Sequence, residues 1–347
     1  MSNPRPVAVI GGGLAGLTLG IGLRQRGIPV TVREAGHYPR HRVCGEFISG
    51  RGQDVLARLG LRDKLLQAGA TEARTAAFFL GSAHSPARSL ARPALCLSRY
   101  TLDALLAAHL RELGGALREG DRCRETDSTE GVVWASGRRL QSQENGWRWF
   151  GLKVHARNAE LSADLEMHGI PDGYVGVCRL HGGEVNVCGL FRRRPGTSDS
   201  VAARCERLRG PLGSSLHARL GNAVLDEDSF CAVAGLVLSP QRADSRSECA
   251  LGDALTMIPP VTGNGMSLAF ESAELALEPL TAWSLGQLDW PAARQQVARA
   301  CDTAFAQRLA WARWLQWLML SSMARTPLGR LLLRSDCLWN TMFARTR

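Results

Sequence analysis

A glycine-rich turn near the start of the chain constrains its fold more than any other feature. Segment 11–16, Gly-Gly-Gly-Leu-Ala-Gly, has the spacing G-x-G-x-x-G and directly follows the apolar run 7–10. A short continuous apolar run is typical of a parallel strand that is buried on both faces. Apolar residues at helical spacing follow, Gly27 ends them, and segment 28–32 predicts a second strand. The chain therefore begins with a predicted strand–helix–strand unit of a doubly wound α/β fold.

The residue types of this turn fit a dinucleotide. Gly11 permits a tight turn, Gly13 lets the backbone approach a pyrophosphate, and Gly16 allows close packing of helix on strand. The helix that begins there offers free N–H groups and partial positive charge. Glu34 stands eighteen residues after Gly16, at the end of the second strand, where a carboxylate can accept both ribose hydroxyls of an adenosine. We therefore predict dinucleotide binding. A glycine-rich turn without a ligand is the alternative, and the motif does not distinguish NAD from FAD.

Two segments near residue 250 resemble a known flavin-binding element. Segment 251–254, Leu-Gly-Asp-Ala, is followed by 258–266, Ile-Pro-Pro-Val-Thr-Gly-Asn-Gly-Met, and by a predicted helix. This order resembles the second flavin-binding element of the superfamily of FAD-dependent monooxygenases and geranylgeranyl reductases (p-hydroxybenzoate hydroxylase-like flavoproteins). The resemblance implies that Asp253 holds the ribityl chain and that the helix N-terminus faces the pyrimidine edge of the flavin. It implies FAD as the cofactor and NAD(P)H as a transient reductant that needs no second glycine motif.

Three further segments resemble the same family, in the order expected along the chain. Segment 98–106 is similar to its R-x-x-L-D-x-x-L helix, whose arginine lies near the pyrophosphate. Segment 42–46, Arg-Val-Cys-Gly-Glu, is similar to the loop that approaches the flavin ring, and 134–137, Trp-Ala-Ser-Gly, to the strand end on the adenosine side. The glycine motif and the resemblance together imply these FAD contacts: Gly11, Gly13, Leu14, Ala15, Gly16, Glu34, Arg42, Cys44, Gly45, Arg99, Ala135, Gly252, Asp253, Pro260, Gly263, Asn264, Gly265 and Met266.

The alternation of elements predicts a discontinuous nucleotide domain. Residues 1–72, 98–140 and 245–285 predict the Rossmann-like FAD domain, whereas 73–97 and 141–244 predict an inserted mixed β-sheet that covers the substrate. Within the insert, the segment His-Gly-Gly at 181–183 separates two β-rich runs and predicts a hairpin. Residues 286–347 predict C-terminal helices. The fold class is therefore α/β, with a doubly wound domain, an inserted sheet and a helical C-terminus.

The resemblance implies an FAD-dependent oxidoreductase, and we favour a monooxygenase. The expected substrate is a lipophilic phenolic or quinone-like small molecule of secondary metabolism, hydroxylated in a dry pocket through a flavin C4a-hydroperoxide. The first alternative is C=C reduction of the geranylgeranyl reductase type, which Leu255 and Thr256 favour, because classical aromatic hydroxylases carry Ala-His there. The alternative of another class is a non-catalytic flavin-binding scaffold. Halogenation is disfavoured: segment 147–151 copies only the first three positions of the halogenase Trp-x-Trp-x-Ile-Pro motif, and neither Lys64 nor Lys153 lies in the halogenase context.

The sequence assigns no firm catalytic residue, and its candidates are Lys153, His155 and Cys44. Lys153 and His155 lie at period two, so they share one face of a strand. A solvated sheet face is the favoured interpretation, and a position beneath the flavin is the alternative. For Cys44 we favour a small buried residue beside the flavin over a redox thiol, since no resolving cysteine is near. No metal site is predicted.

A tryptophan stripe marks the predicted helix 309–320, where Trp311, Trp314 and Trp317 are spaced at i, i+3 and i+6. Such stripes usually belong to a core. We therefore expect packing on a domain interface, with Trp314 buried and at least one of the other two partly exposed. The alternative is an apolar patch that contacts a bilayer or covers a lipophilic substrate tunnel.

The net charge of +10 does not predict nucleic-acid binding, since all but two of the 42 basic residues are arginines scattered along the chain. The ten cysteines include no Cys-x-x-Cys pair, which indicates free thiols in a reducing cytoplasm. No apolar stretch reaches the roughly 18 residues of a spanning helix, and the N-terminus lacks the pattern of a signal peptide. We expect a cytoplasmic protein, peripheral to the membrane if the tryptophan helix contacts it. The oligomeric state stays open.

Overall fold

The computed structural model describes residues 3–81, 83–123, 130–138, 141, 143–196, 201–321 and 333–346, with residues 201–204 described without their side chains. Two β-sheets and the helices packed on them form this part of the chain. The strands, in chain order, are β1 Val7–Ile10, β2 Val30–Glu34, β3 Phe47–Ile48, β4 Thr71–Leu80, β5 Ala83–His84, β6 Arg88–Cys96, β7 Ala116–Glu119, β8 Val132–Trp134, β9 Arg148–Arg157, β10 Leu165–Ile170, β11 Gly173–Arg179, β12 Val185–Arg193, β13 Val224–Ala234 and β14 Cys249–Ala250. The α-helices are α1 Leu14–Gln25, α2 Arg51–Arg58, α3 Arg62–Gln67, α4 Arg99–Glu112, α5 Val201–Arg209, α6 Ser215–Leu220, α7 Gly265–Ser284, α8 Trp290–Leu320 and α9 Asp336–Thr346.

The first sheet has five parallel strands in the order β14-β8-β1-β2-β7. It contains the predicted strand–helix–strand unit, and helix α1 of that unit contacts both α4 and α7. At Gly22 of α1, a Cβ atom would come within 2.6 Å of the Leu277 side chain of α7, so glycine allows the two helices to approach closely. The doubly wound α/β architecture is confirmed.

The second sheet has nine strands in the order β13-β9-β12-β11-β10-β4-β6-β3, with β5 paired to β4. The predicted hairpin is present: β11 and β12 pair antiparallel, and Gly182 and Gly183 between them have φ values of +68° and +76°. Segment 47–48 lies inside the range predicted for the nucleotide domain, yet it pairs with β6. The chain therefore contributes its first strand to the second sheet at residues 47–48, before residue 73, where the sequence predicts that the inserted sheet begins.

The second sheet separates two environments. One face of β9 carries Phe150, Leu152 and Val154 into an apolar core that α5 and α6 complete. The other face carries Gly151, Lys153 and His155 toward the segment that joins β2 to β3. This second face forms one wall of the candidate site.

The tryptophan stripe of α8 differs from the prediction. Trp314 is 40% exposed and Trp317 is 57% exposed, so the expected burial of Trp314 is wrong, and the expected exposure of one of the other tryptophans is confirmed. The buried stripe of α8 is formed instead by Phe305, Arg308, Leu309, Ala312, Leu315, Gln316 and Met319. Trp314 precedes Leu315 by one residue, which rotates it by about 100° from that stripe. Among the helices of the described residues, none has the length and apolarity that crossing a bilayer requires.

Candidate functional site

A cavity of about 870 Å³ lies between the two sheets and collects residues from distant parts of the chain. Its volume is at the upper end of the range for ligand sites. All the predicted FAD contacts line it except Gly16 and Asn264. Asn264 is buried beside the cavity, where its Oδ1 accepts from the Ser49 hydroxyl at 2.9 Å and its Nδ2 donates to the Thr346 carbonyl.

The three glycines of the G-x-G-x-x-G motif, Gly11, Gly13 and Gly16, have different surroundings. Gly11 has φ +106°, and a Cβ there would lie 2.4 Å from the Ala135 carbonyl oxygen. A Cβ on Gly16 would lie 1.9 Å from the Gly11 carbonyl oxygen. A Cβ on Gly13 would meet no atom within 4 Å, because this position faces the cavity. Gly11 and Gly16 are therefore required by the turn itself, and only Gly13 is free for a ligand to approach.

The Glu34 carboxylate, at the end of β2, is held by several donors. It accepts hydrogen bonds from the Gly12 N–H at 2.8 Å, the Gly36 N–H at 2.9 Å and the Arg40 guanidinium at 2.5 Å. Burial opposes its ionisation, but the Gly36 N–H and the Arg40 charge outweigh burial and lower the pKa of Glu34. The carboxylate predicted to bind ribose is therefore ionised. A ribose hydroxyl that donates to Glu34 would bind the same carboxylate as the Arg40 guanidinium.

Paired arginines line the middle of the cavity. Arg99 makes a bidentate ion pair with Asp103 at 2.6 and 2.7 Å, and both side chains are buried. Arg42 lies 3.3 Å from the same carboxylate and 3.6 Å from Glu34. This Asp103-centred arrangement places two guanidinium groups on the wall where the family resemblance expects the pyrophosphate.

The second predicted flavin element closes the cavity from the opposite side. Asp253 lies in a short turn after β14 and lines the cavity, and burial raises the pKa of its carboxyl group. Gly263 adopts the left-handed conformation, with φ +67°, directly before α7. The open space at Gly13 and the Asp253 carboxylate fit a pyrophosphate and a polyol, the two parts that join the rings of FAD.

The segment 40–46 is fastened to the second sheet. The Asn186 side chain donates to the Cys44 carbonyl at 3.0 Å, and the Cys178 thiol to the Gly45 carbonyl at 3.2 Å. A Cβ on Gly151 would come 2.8 Å from the Val43 side chain, so glycine lets the loop lie against the sheet. Burial raises the pKa of Cys44, which disfavours a reactive thiolate at this position.

A buried charged cluster, formed by His41, Glu46, Lys153 and His155, backs this loop. The Glu46 carboxylate contacts His155 Nε2 at 2.7 Å and Lys153 Nζ at 3.6 Å, and it accepts from the Arg99 N–H at 2.9 Å. Lys153 Nζ also contacts His41 Nδ1 at 3.1 Å. Lys153 is 0% and His155 is 2% exposed, so the predicted solvated sheet face is wrong. Their shared face was predicted, but its partner Glu46 lies on a distant segment.

His155 links this charged cluster to the outside. Its Nδ1 atom lies 3.2 Å from Glu184, whose side chain is 23% exposed. Asp226 completes a group of three possible ligand residues, whose ligand atoms lie within 4.8 Å of one another. The ion pair of His155 with Glu184 accounts for this arrangement without a metal.

The far end of the cavity is apolar. Strands of the second sheet and the two C-terminal helices α8 and α9 surround it. Its lining side chains are Phe78, Met167, Tyr174, Leu190, Leu236, Leu315, Met342 and Phe343. This apolar chamber is continuous with the polar part of the cavity, so a hydrophobic molecule in it would lie next to the bound cofactor.

Sequence reasoning missed four residues of the site: His41, Glu46, Asp103 and Arg138. Glu46 and Asp103 lie inside segments that resemble the family, 42–46 and 98–106, so the signal for them was present. His41 directly precedes the first segment, and Arg138 follows the strand end at 134–137. Their importance depends on burial and pairing, which the sequence does not show.

Comparison with known proteins agrees with this site. Residues 5–157 match the family model of the FAD binding domain. Rifampicin monooxygenase of Streptomyces venezuelae is 33% identical over 117 residues, which cover 33% of this chain. The aligned part spans only 24% of that curated relative.

Solved structures of flavoproteins have the same fold. The flavin-dependent brominase Bmp2 superposes with a TM-score of 0.74 at 15% identity, covering 99% of this chain and 93% of its own. The flavin-dependent halogenase CmlS gives 0.72 at 20% identity, covering 100% and 72%. A flavoprotein/dehydrogenase from Cytophaga hutchinsonii gives 0.73 at 15% identity, covering 92% and 87%. The fold and the site thus define a flavoprotein with an FAD binding domain. The comparisons thus identify an FAD binding domain at residues 5–157 and a partial likeness to a monooxygenase.

Proposed function

We propose that the protein is an FAD-dependent oxidoreductase, and specifically a monooxygenase that hydroxylates a lipophilic phenolic or quinone-like small molecule. The observation that carries this proposal is the apolar chamber, which is continuous with the FAD half of the cavity. Reduced FAD, with NAD(P)H as the two-electron donor, supplies the electrons that let dioxygen deliver one atom to the substrate and one to water. The apolar lining would exclude bulk water from this reaction.

The buried charged cluster supplies groups that hold and accept protons. His41 and Glu46 line the cavity. Burial, together with the positive charges of Lys153 and His155, lowers the pKa of His41, so its ring is neutral at pH 7 and can accept a proton. We propose His41 as the group that takes the phenolic proton of the substrate at Nδ1, where the incoming proton replaces the contact with Lys153 Nζ. Cys44 has no part in this step, since its thiol stays protonated.

Two other reactions, C=C reduction and halogenation, are alternatives to hydroxylation. C=C reduction uses the same cofactor and the same apolar chamber, and the Leu255-Thr256 sequence favours it. Halogenation has less support, because the likeness to halogenase structures at 15–20% identity shows the fold alone.

The test is incubation of the FAD-loaded protein with NAD(P)H, isotopically labelled dioxygen and a panel of alkylphenols and naphthoquinones. Monooxygenation predicts one labelled oxygen atom per product molecule. A product with two added hydrogens and no label would establish the reductase instead, and flavin that NAD(P)H cannot reduce would support the scaffold. The His41→Asn variant should lose hydroxylation while keeping bound FAD, and His109→Asn, on the outer side of α4, serves as its control.

We also propose a cytoplasmic location with peripheral membrane contact through helix 309–320. The exposed side chains of Trp314 and Trp317, with the exposed Arg313 beside them, support this contact. Alanine at both tryptophans should reduce co-sedimentation with anionic vesicles without lowering Tm. Equal co-sedimentation of the wild type and the double variant would refute the contact.

A further inference from the structure

Arg138 is an arginine of the cavity wall whose guanidinium has no partner among the described residues. It follows the end of β8, and its side chain lines the cavity. Its Nε atom is closed to solvent and makes no hydrogen bond. In the part of the chain that the structure describes, no ion pair or hydrogen bond involves the Arg138 side chain. The residue as a whole is half-buried, but polar atoms closed to solvent are hydrogen-bonded in almost all folded proteins, so a closed, unbonded Nε atom on a cavity wall indicates a ligand.

Several other arginines of the cavity wall have carboxylate partners, and Arg122 there is exposed to solvent. Arg99 is bidentate on Asp103, and Arg40 pairs with Glu34 at 2.5 Å. Arg42 lies between these two carboxylates. Each of these three guanidinium groups therefore lies next to a carboxylate of the protein, whereas Arg138 pairs with none among the described residues.

Asp253 shares this situation at the end of the neighbouring strand β14, which pairs with β8. Among the described residues, no donor hydrogen-bonds to its carboxylate. Burial lowers the pKa of Arg138, and the charge that most opposes this shift is Asp253. The charges of Arg138 and Asp253 therefore interact, but the two side chains are not within the 4.0 Å of a direct ion pair. A molecule that lies between them must offer acceptor oxygens to Arg138 and hydroxyl donors to Asp253.

We propose that Arg138 binds the pyrophosphate of FAD. A guanidinium presents N–H donors in a planar fork and no acceptor, which matches the anionic oxygens of a phosphate. In FAD these oxygens adjoin the ribityl hydroxyls, which can donate to Asp253. The inference rests on FAD occupying this cavity. Because NAD(P)H also carries a pyrophosphate, the experiment must separate the two sources.

The experiment is fluorescence titration of the apoprotein with FAD, FMN and riboflavin. The Arg138→Gln variant should bind FAD about 10- to 100-fold more weakly, which corresponds to the loss of one charge-assisted contact. Its affinity for riboflavin, which has no phosphate, should stay within about twofold of the wild type. Arg138→Lys keeps the charge without the fork and should be intermediate. Arg92→Gln, which removes an arginine paired with Asp54 outside the cavity, should change nothing.

Each outcome decides the proposal. Unchanged FAD affinity in Arg138→Gln overturns it, and an equal loss for riboflavin overturns it in favour of contact with the flavin ring. If FAD affinity is kept while KM for NAD(P)H rises, the phosphate recognised is that of the reductant, and the proposal is again overturned. If Arg138→Gln does not fold, the Arg138→Lys variant answers the same question. A wild type that binds no FAD would refute the cofactor assignment itself, which is a different result from an unaffected variant of a flavin-binding protein.

Discussion

Two carboxylates, the buried Glu166 and the half-buried Asp253, show how charge in the framework of this molecule differs from charge in its cavity. Glu166, on β10, contacts the Ser162 N–H at 2.5 Å, the Ser162 hydroxyl at 2.7 Å, His168 Nε2 at 2.9 Å and Arg219 Nε at 3.1 Å. These contacts outweigh the burial that opposes ionisation, and they lower the pKa of Glu166 to about 2. Among the described residues, no donor hydrogen-bonds to the Asp253 carboxylate, and burial raises its pKa.

The difference in hydrogen bonding between Glu166 and Asp253 separates a carboxylate that stabilises the fold from one that is available to a ligand. A fully bonded buried carboxylate holds strands and helices together, and losing one partner leaves the others unpaired. An unbonded carboxylate costs stability in the free protein, and such a cost is typical of groups kept for binding. The same contrast separates Gly16, whose neighbours fill all space around it, from Gly13, which faces an opening.

The largest effect is expected for Glu166→Gln. This change leaves His168 and Arg219 without their anionic partner, so the free energy of unfolding at pH 7 should fall by about 3–5 kcal/mol. Because the folded pKa of about 2 lies below the roughly 4.3 of an unfolded glutamate, the stabilisation is complete above about pH 5 and is lost as pH falls toward 2. Urea unfolding at pH 7 and pH 3 should therefore show a smaller difference from the wild type at the lower pH.

The control for this variant is Asp172→Asn, in which an exposed carboxylate paired with Arg192 at 3.3 Å is neutralised. Exposed pairs contribute little, so the change should be below about 1 kcal/mol at either pH. If the two variants were equally stable, the buried contacts of Glu166 would hold the fold no better than an exposed ion pair.

The next effect is expected for Gly16→Ala. The new Cβ would lie 1.9 Å from the Gly11 carbonyl oxygen, and backbone cannot rotate away as a side chain can. Overpacking of this kind costs about 1–3 kcal/mol, so thermal unfolding of the apoprotein should occur several degrees lower than in the wild type. An unchanged Tm would show that the turn is looser than its geometry indicates.

Much of the fold could be predicted because short segments of the sequence specify their own strand, helix or hairpin. The turn at 11–16 and the apolar run before it specify the first strand and helix, and His181-Gly182-Gly183 specifies the hairpin of β11 and β12. Segment 47–48 was misassigned because it pairs with residues of β6 that lie almost fifty positions further along the chain.

The charged part of the site could not be predicted in the same way. The period-two spacing of Lys153 and His155 correctly placed them on one face, but buried lysines are rare unless paired. Their partner Glu46 lies more than 100 residues away, and the sequence does not show which carboxylate meets which cation. Arg138 has no partner among the residues that the structure describes, so only the three-dimensional arrangement reveals that this residue is unusual.

A smaller effect of opposite sign is expected for Asp253→Asn. Neutralising a carboxylate whose folded pKa is raised removes a cost that exists above the ordinary aspartate pKa, so the apoprotein at pH 7 should gain about 1 kcal/mol. This gain should vanish below about pH 4, where Asp253 is protonated in both folded and unfolded chains. The same variant should bind FAD more weakly, because the amide no longer presents an anionic acceptor. Calorimetry of the apoprotein and flavin titration together check both signs, and a loss of stability would contradict the assignment of Asp253 to the ligand.

The smallest effect on stability, and the sharpest separation of fold from ligand, is expected for Gly13→Ala. Gly13 has φ −83° and ψ −171°, a conformation open to alanine, and its Cβ would meet no protein atom within 4 Å. Alanine is a poorer residue than glycine before a helix, so the free energy of unfolding should change by no more than about 1 kcal/mol. The new methyl group would instead occupy space that the pyrophosphate needs at the N-terminus of α1, and FAD affinity should fall at least about tenfold. Gly27→Ala is the control: its Cβ also meets no atom within 4 Å, but it lies at the opposite end of α1 with φ +77°, so it should lower stability without changing FAD affinity once folded. If Gly13→Ala retained FAD as well as the wild type, the cofactor would not approach this turn, and the assignment of the cavity would have to be abandoned.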